Sequence, residues 1–257
     1  MIECVIAFID GKSAVEKLAR SVLATTLASF AATVMAVPPG WIDTSKSDLN
    51  VTLGEVSQAP PGYLSVVGPK ERGQRKTGTH QDAILQFQYR GPSTRGSKLA
   101  SGGFVRQIGL KMRTENTCNL LYVMWRIEPT EQIVVTIKSN PGQTRHRDCG
   151  AKGYVPVARI PLSDFAITAT NRAFHRLRAR VDESDGAFRC SVDVDGQTIW
   201  TGTLDAQIIA PIDGPVGFRS DNGSFKFKLL VPDSGASPRN PESAVAPALI
   251  EATSTGQ

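Results

Sequence analysis

Hydrophobic and polar residues alternate along most of the chain after residue 80. Around residue 123, for example, Leu121, Val123 and Trp125 fall on one side of an extended segment. Alternation of this kind predicts β-strands that bury one face. The segments that show it are Ile84–Arg90, Val105–Arg113, Asn119–Glu128, Gln132–Lys138, His175–Val181, Phe188–Val194, Thr198–Thr201 and Phe225–Val231.

Turn sequences separate these segments. Ser184-Asp-Gly and Asp195-Gly are typical of tight hairpin turns. The only helical signal after residue 40 is a short turn at Ser163–Phe165. Strands that follow one another through turns, without helices between them, predict an antiparallel all-β sandwich or barrel. Trp125, which alternates with the core positions, is expected to be buried.

The first 36 residues indicate an export signal. Basic residues as far as Arg20 precede an uncharged, mostly apolar stretch at 21–35, and Val34 and Ala36 supply small residues before a cleavage point. These are the parts of a secretory signal peptide, and the apolar stretch is shorter than the roughly 20 residues that span a bilayer. A retained membrane anchor is the alternative. We therefore expect an exported protein, periplasmic or secreted.

The far end of the chain predicts a disordered tail. Residues 232–257 are rich in Pro, Ser, Ala and Thr and contain no aromatic residue. Between the leader and this tail, residues 37–231 are expected to form one β-sandwich domain.

The chain is basic overall. Its 257 residues include 29 Lys and Arg against 24 Asp and Glu, a formal net charge of +5. A basic balance bears on anionic partners but not on the fold. The densest basic stretch, Lys70–Lys76, contains an acidic residue and no aromatic one, and no nucleic-acid-binding motif accompanies it. We interpret it as a solvated loop and expect no nucleic-acid partner.

Three cysteines follow the leader. Cys190 alternates with the apolar Phe188 and Val192, which predicts a buried free thiol. Cys118 and Cys149 lie at loop or strand-end positions, so we predict a disulfide between them, in agreement with export. No Cys or His spacing indicates a zinc site, and we expect no metal.

Three stretches resemble a known family in their order along the chain: His175–Val181, Asp193–Trp200 and Gly214–Phe227, which contains Gly-Pro-Val-Gly-Phe-Arg. Together these stretches resemble the C-terminal half of concanavalin A-like jelly rolls, in particular the laminin G-like and 3-keto-disaccharide hydrolase-like domains of exported bacterial proteins. The resemblance implies an antiparallel two-sheet jelly-roll sandwich. It is weaker evidence for function, because the fold hosts lectins, hydrolases, lyases and adhesion modules.

The resemblance also raises the question of calcium, which laminin G-like domains often hold. Asp182, Glu183 and Asp185 are the acidic candidates, but their spacing does not match a regular calcium loop. We expect no cofactor, with calcium as the open alternative.

Polar residues occupy the non-core positions of three consecutive predicted strands. If these strands are neighbours, the residues form a cationic, amide-rich floor, in which Arg suits carboxylates, Gln suits sugar hydroxyls and Tyr122 provides a platform for a sugar ring. A solvated outer face is the alternative, because every antiparallel sandwich has one. The candidate ligand-binding residues are Gln86, Gln88, Arg90, Gln107, Lys111, Arg113, Tyr122 and Arg126.

These residues predict a protein that binds an acidic or neutral polysaccharide. One alternative is a polysaccharide lyase or glycoside hydrolase in the same groove, with Tyr122 or His146 as the proton carrier. His146 lies in a polar loop close to Cys149. The Glu-x-Asp-x-x-Glu pattern of jelly-roll glucanases is absent from the sequence. A second alternative is a laminin G-like module that binds a protein partner.

Overall fold

The computed structural model describes residues 36–100 and 102–233, so the predicted leader up to residue 35 and the predicted tail from residue 234 lie outside the described residues. Within them the chain forms fifteen strands. The strands are β1 (Trp41–Asp43), β2 (Leu49–Leu53), β3 (Ser57–Ala59), β4 (Tyr63–Val66), β5 (Lys70–Arg75), β6 (Asp82–Pro92), β7 (Arg106–Met112), β8 (Leu120–Glu128), β9 (Gln132–Lys138), β10 (Tyr154–Pro161), β11 (Phe174–Ser184), β12 (Ala187–Val194), β13 (Gln197–Leu204), β14 (Gly217–Asp221) and β15 (Gly223–Pro232).

The strands pair into two antiparallel sheets. The eight-stranded sheet has the order β13-β12-β11-β6-β15-β4-β3, with β1 also paired to β15. The seven-stranded sheet has the order β10-β9-β8-β7-β14-β5-β2. The predicted antiparallel two-sheet jelly-roll sandwich is therefore confirmed.

The core lies between the two sheets and is formed by the alternating apolar residues of both. Trp125 is fully buried, as predicted, and packs edge-on against Phe87 with 5.1 Å between ring centroids. Phe218 and Phe227, from opposite sheets, have centroids 4.7 Å apart. Burial of each such ring contributes about 1.5–3 kcal/mol to stability. Cys190 is buried and free, as predicted, and burial raises the pKa of its thiol to about 12.

The predicted turns are present. Asp185-Gly186 and Asp195-Gly196 connect β11 to β12 and β12 to β13, and all four residues have positive φ, as two-residue hairpins require. The predicted helical turn is a 3-10 helix at Leu162–Phe165. The remaining helices are short: α1 (His146–Cys149), α2 (Ala206–Ile209), and 3-10 helices at Lys46–Asp48 and Ala169–Asn171.

The prediction of a solvated loop at Lys70–Lys76 is wrong, because Lys70–Arg75 forms β5 inside the seven-stranded sheet. The inward positions of β5 carry no apolar pattern. Gly73 leaves room for the ring of Phe218, whose Cε1 lies 2.6 Å from the place where a Cβ would stand. The apolar group over this position comes from β14, so β5 needs no hydrophobic residue of its own there.

Three further features complete the fold. The edge strand β10 contains Pro156 and Pro161, which an edge tolerates because one side has no ladder to donate to. Between β14 and β15 the single residue Asn222, with φ of 57°, carries the chain from one sheet to the other. Over the described residues, no helix has the length and apolarity needed to cross a membrane.

Candidate functional site

The outward face of the seven-stranded sheet carries a groove of about 560 Å³, which we call the cationic groove. Its lining combines basic side chains with the rings of Tyr122 and Tyr154 and with apolar groups such as Met124 and Val134. Among the described residues that line it there is no Asp or Glu. The basic side chains of the lining are Lys70, Arg72, Lys98, Arg126, Arg159 and Arg219.

Strand register arranges the floor of the groove in rows that cross the sheet. One row runs through Arg159, Val134, Met124, Gly109 and Arg219, each opposite the next on the neighbouring strand. Gly109 is required there, because a Cβ would lie 2.6 Å from the Met124 Cα and closer still to the Val123 carbonyl oxygen. The row thus has cations at both ends and an apolar centre.

Asp221 lies beneath this face and is fully buried. Its carboxylate accepts hydrogen bonds from Arg219 Nε at 2.7 Å and Gln107 Nε2 at 2.7 Å, and Arg72 lies 3.3 Å away. Burial alone would raise the pKa of Asp221. The charges of Arg219 and Arg72 outweigh this effect and lower the pKa overall, so the carboxyl group is ionised. Burial likewise opposes the charge of Arg219, yet Asp221 and the tyrosines raise its pKa overall.

Two lysines are buried beside the groove, opposite Tyr122 and Tyr154 on the neighbouring strands. Lys111 Nζ donates to Gln74 Oε1 at 3.0 Å, and burial, with Arg72 and Arg219 nearby, lowers its pKa to about 7. Lys138 Nζ donates to the carbonyl oxygens of residues 117 and 150 at 3.2 and 3.1 Å, and burial lowers its pKa to about 8. Both shifts reflect the cost of a cation that has no acidic partner.

The two tyrosines form the aromatic part of the groove. Their rings are stacked with centroids 6.3 Å apart and an interplanar angle of 17°. Tyr122 is only 5% exposed and its other ring contact is the Arg219 guanidinium, 5.0 Å from the centroid. Tyr154 is 38% exposed. The ring that faces solvent is therefore that of Tyr154, and Tyr122 supports it from below.

His146 lies at the rim of the groove on α1, which the predicted disulfide holds in place. Cys118 and Cys149 are bonded, with 5.9 Å between their Cα atoms, so this prediction is confirmed. His146 lines both the main cavity and a smaller one of about 90 Å³ that also contacts Tyr122. Burial and the surrounding cations, Lys138 among them, lower the pKa of His146. The imidazole is therefore neutral at neutral pH.

The structure brings together four of the predicted ligand-binding residues: Gln107, Lys111, Tyr122 and Arg126 belong to adjacent strands β7 and β8 of the groove floor. It does not bring Gln86, Gln88 and Arg90 to them. Those three belong to β6, which lies in the opposite sheet between β11 and β15. The prediction of one floor across three consecutive strands is wrong, because the chain changes sheets between β6 and β7.

Arg113 is also misplaced by the alternation. A φ of 49° at this residue ends the extended conformation of β7 and turns the side chain away from the groove. Its Nε donates to the Ile212 carbonyl at 2.6 Å, and its guanidinium lies 5.2 Å from the Phe188 ring centroid, in the opposite sheet. Arg113 is thus a buried structural residue.

Several groove residues were missed by sequence reasoning. The sequence pattern predicts a loop for Lys70 and Arg72. Tyr154 and Arg159 lie on an edge strand that contains proline. Arg219 lies in a short strand whose inward face is marked only by Phe218. The alternation of Lys70 and Arg72 with Glu71 was the available signal.

The acidic residues considered for calcium are not gathered into a metal site. Asp182, Glu183 and Asp185 lie on the β11–β12 hairpin, where Asp182 pairs with Arg180 at 3.0 Å. The described ranges contain no group of three His, Cys, Asp or Glu side chains that suits a metal ion.

No protein-family model matches the chain, and no curated protein matches it in sequence. Solved structures of similar fold include a carbohydrate-binding module from Bacillus subtilis (10% identity, TM-score 0.47, 70% of this chain and 91% of that one). They also include an endo-1,3-beta-glucanase from Streptomyces sioyaensis (12%, 0.48, 78% and 100%) and a legume lectin-like domain from Entamoeba histolytica (9%, 0.46, 76% and 97%). Identities and TM-scores this low assign no ligand or activity to this chain.

Proposed function

We propose that the protein binds an acidic polysaccharide in the cationic groove. The observation that carries the proposal is a groove in which basic side chains and an exposed tyrosine ring occur together and acids are absent from the described lining. A sugar chain offers both matching features, since its C–H faces stack on aromatic rings and its carboxylates or sulfates pair with guanidinium groups.

The proposal includes export. A disulfide between Cys118 and Cys149 is expected in proteins that fold in an oxidising compartment. The predicted leader at residues 1–36 would deliver the chain there. Polysaccharides with a high density of carboxylates or sulfates are ligands available outside the cytoplasm.

The test is isothermal titration calorimetry with polygalacturonate oligomers, a neutral glucan of equal length and a single-stranded oligonucleotide of equal charge. We expect the polyuronate to bind, with an affinity that falls as salt is added because ion pairs form across the groove. Tyr154→Ala should weaken binding about tenfold through loss of the stacking surface. Val155→Ala is the matched control, because Val155 is an exposed neighbour that does not line the groove.

Two results would contradict the proposal. One is a wild-type protein that binds neither polyuronate nor any sulfated polysaccharide. The other is polyuronate binding that Tyr154→Ala leaves unchanged. Tighter binding of the oligonucleotide than of every polysaccharide would replace the proposed ligand class with nucleic acid.

A lyase acting in the same groove is the second candidate, because Tyr122, His146 and Arg72 line the same small cavity. Arg72 would neutralise the uronate carboxylate. Neutral His146 would take the C5 proton, and the oxygen leaving C4 would receive a proton from Tyr122, whose pKa is raised by burial and which is therefore protonated. The C4–O bond breaks, and the C4–C5 double bond of an unsaturated sugar forms.

The two candidates are separated by incubating the protein with polyuronate and following the ultraviolet absorbance of unsaturated ends. A lyase produces such ends, and His146→Gln abolishes them while His80→Gln, outside the groove, does not. If polyuronate binds but no unsaturated ends form, the protein is a binding module without lyase activity.

A further inference from the structure

The two ends of the cationic groove differ in how their charges are compensated. At the β14–β5 end, Arg219 and Arg72 both contact the Asp221 carboxylate. At the β8–β10 end, Arg126 and Arg159 make no side-chain hydrogen bond or ion pair within the described residues, and Arg126 Nε is buried without a partner. The β8–β10 end therefore holds two guanidinium groups with no anion.

The guanidinium groups of Arg126 and Arg159 are close enough to repel each other, and the pKa of Arg126 reflects this repulsion. Burial lowers the pKa of Arg126, and Arg159 followed by Arg219 lowers it further. A buried hydrogen-bond donor without a partner, next to a second cation, lowers the stability of the folded protein. Such an arrangement is stabilised when an anion enters and accepts hydrogen bonds from both groups.

The floor beside the arginines is apolar. Met124 and Val134 face each other across β8 and β9, and Arg159 continues the same row on β10. Met124 and Val134 line the floor of the groove, with 4% and 7% of their surface exposed. Neighbouring strands are about 4.8 Å apart, so the two side chains lie next to each other beneath the groove.

We propose that Arg126 and Arg159 form a subsite for one anionic group of a sugar, a carboxylate or a sulfate, while the sugar ring lies over Met124 and Val134. The inference rests on the proposed function and adds to it the place where the charge is recognised. Guanidinium groups bind such oxyanions through paired N–H donors, a geometry that lysine lacks. The polysaccharide then crosses the strands, with its anionic unit at the β8–β10 end.

The experiment measures affinity for three ligands of equal length: galacturonate oligomers, their methyl esters, and sulfated galactan oligomers. The variants are Arg126→Gln and Arg159→Gln. Each should bind the free acid or the sulfated oligomer about tenfold more weakly, the loss expected for one hydrogen-bonded ion pair. Each should bind the methyl ester within about twofold of wild type, since the ester has no charge to lose.

Arg90→Gln is the control, because it removes the same charge from an exposed residue of the opposite sheet and should leave every affinity unchanged. Arg159 is exposed, so its replacement tests the subsite even if Arg126→Gln lowers stability. A loss confined to the acid identifies a carboxylate, and a loss confined to the sulfated oligomer identifies a sulfate.

The subsite is overturned if the variants lose affinity for acid and ester equally, or lose none while the wild-type protein still binds; the proposed function survives both results. Wild-type protein that binds none of the acidic oligomers would overturn the proposed function together with the subsite.

Discussion

Replacement of Lys111 by Met should stabilise the protein at neutral pH. Lys111 is 1% exposed, and its single side-chain hydrogen bond among the described residues goes to Gln74. Arg72 and Arg219 add repulsion to the cost of burial. Met has nearly the same length and volume and carries no charge, so Lys111→Met keeps the packing and removes the penalty.

The size of the effect follows from the pKa of Lys111. A fall from 10.5 to about 7 corresponds to an upper bound of about 5 kcal/mol against folding at pH 7 or below. The lost hydrogen bond to Gln74 offsets about 1–3 kcal/mol, because its donor is a charged ammonium group while its acceptor, the Gln74 amide, is partly open to water. We therefore expect Lys111→Met to raise the free energy of unfolding by about 2–4 kcal/mol.

The pH dependence provides the sharper signature. Between about pH 7 and 10.5 the unfolded wild-type chain binds more protons at Lys111 than the folded one does, so wild-type stability gains up to about 1.4 kcal/mol per pH unit from this group. The variant lacks this term. Its advantage over wild type should shrink by about 2–3 kcal/mol between roughly pH 7.5 and 9.5.

Urea unfolding at these two pH values measures both quantities. Lys138→Met is the comparison, because Lys138 donates to two backbone carbonyls that would lose their partner. Its pKa is also less depressed than that of Lys111, so the gain in stability should be smaller than for Lys111→Met or absent. A Lys111→Met protein that is less stable than wild type, or whose advantage does not change with pH, would refute the reasoning that Lys111 carries an uncompensated charge.

Three further predictions concern stability and reactivity. Asp221→Asn should lower the free energy of unfolding by about 3–5 kcal/mol, because it leaves buried guanidinium groups without an anion. The control Asp182→Asn, at an exposed ion pair, should change the free energy of unfolding by less than about 1 kcal/mol. Urea denaturation of both variants measures the difference. Replacement of both Cys118 and Cys149 by Ser should cost about 3–4 kcal/mol, from the chain between them that the disulfide closes, and should weaken polyuronate binding in calorimetry by loosening the rim that carries α1. The Cys190 thiol should not react with a thiol reagent at neutral pH until denaturant is added, because it is buried and its pKa is about 12; rapid reaction of the native protein would contradict its placement in the core.

Part of the candidate site could be predicted from the sequence of each strand taken separately. Alternation along β7 and β8 separated Gln107, Lys111, Tyr122 and Arg126 from the core, and the structure places all four on the groove face. The same rule failed at Arg113, where one residue of positive φ ended the strand. A backbone dihedral of that kind has no signature in the pattern of polar and apolar residues.

The rest of the groove depends on which strands are neighbours. Arg159 and Arg219 are distant in sequence and share a row of the floor only because β10, β9, β8, β7 and β14 pair in that order. Gln86 shows the opposite case, since its strand is close in sequence to β7 but lies in the other sheet.

By itself, the sequence determined the all-β class, eight of the strands, the two hairpins, the disulfide and the buried thiol. Each of these follows from local periodicity, from turn residues or from a small set of cysteines. Only the tertiary structure decided which strands adjoin, and with that the content of the cationic groove and the two unpaired arginines at its end. The reason is physical: alternation records which face of a strand is buried, whereas strand order is set by the packing of the whole core, to which residues far apart in sequence contribute together.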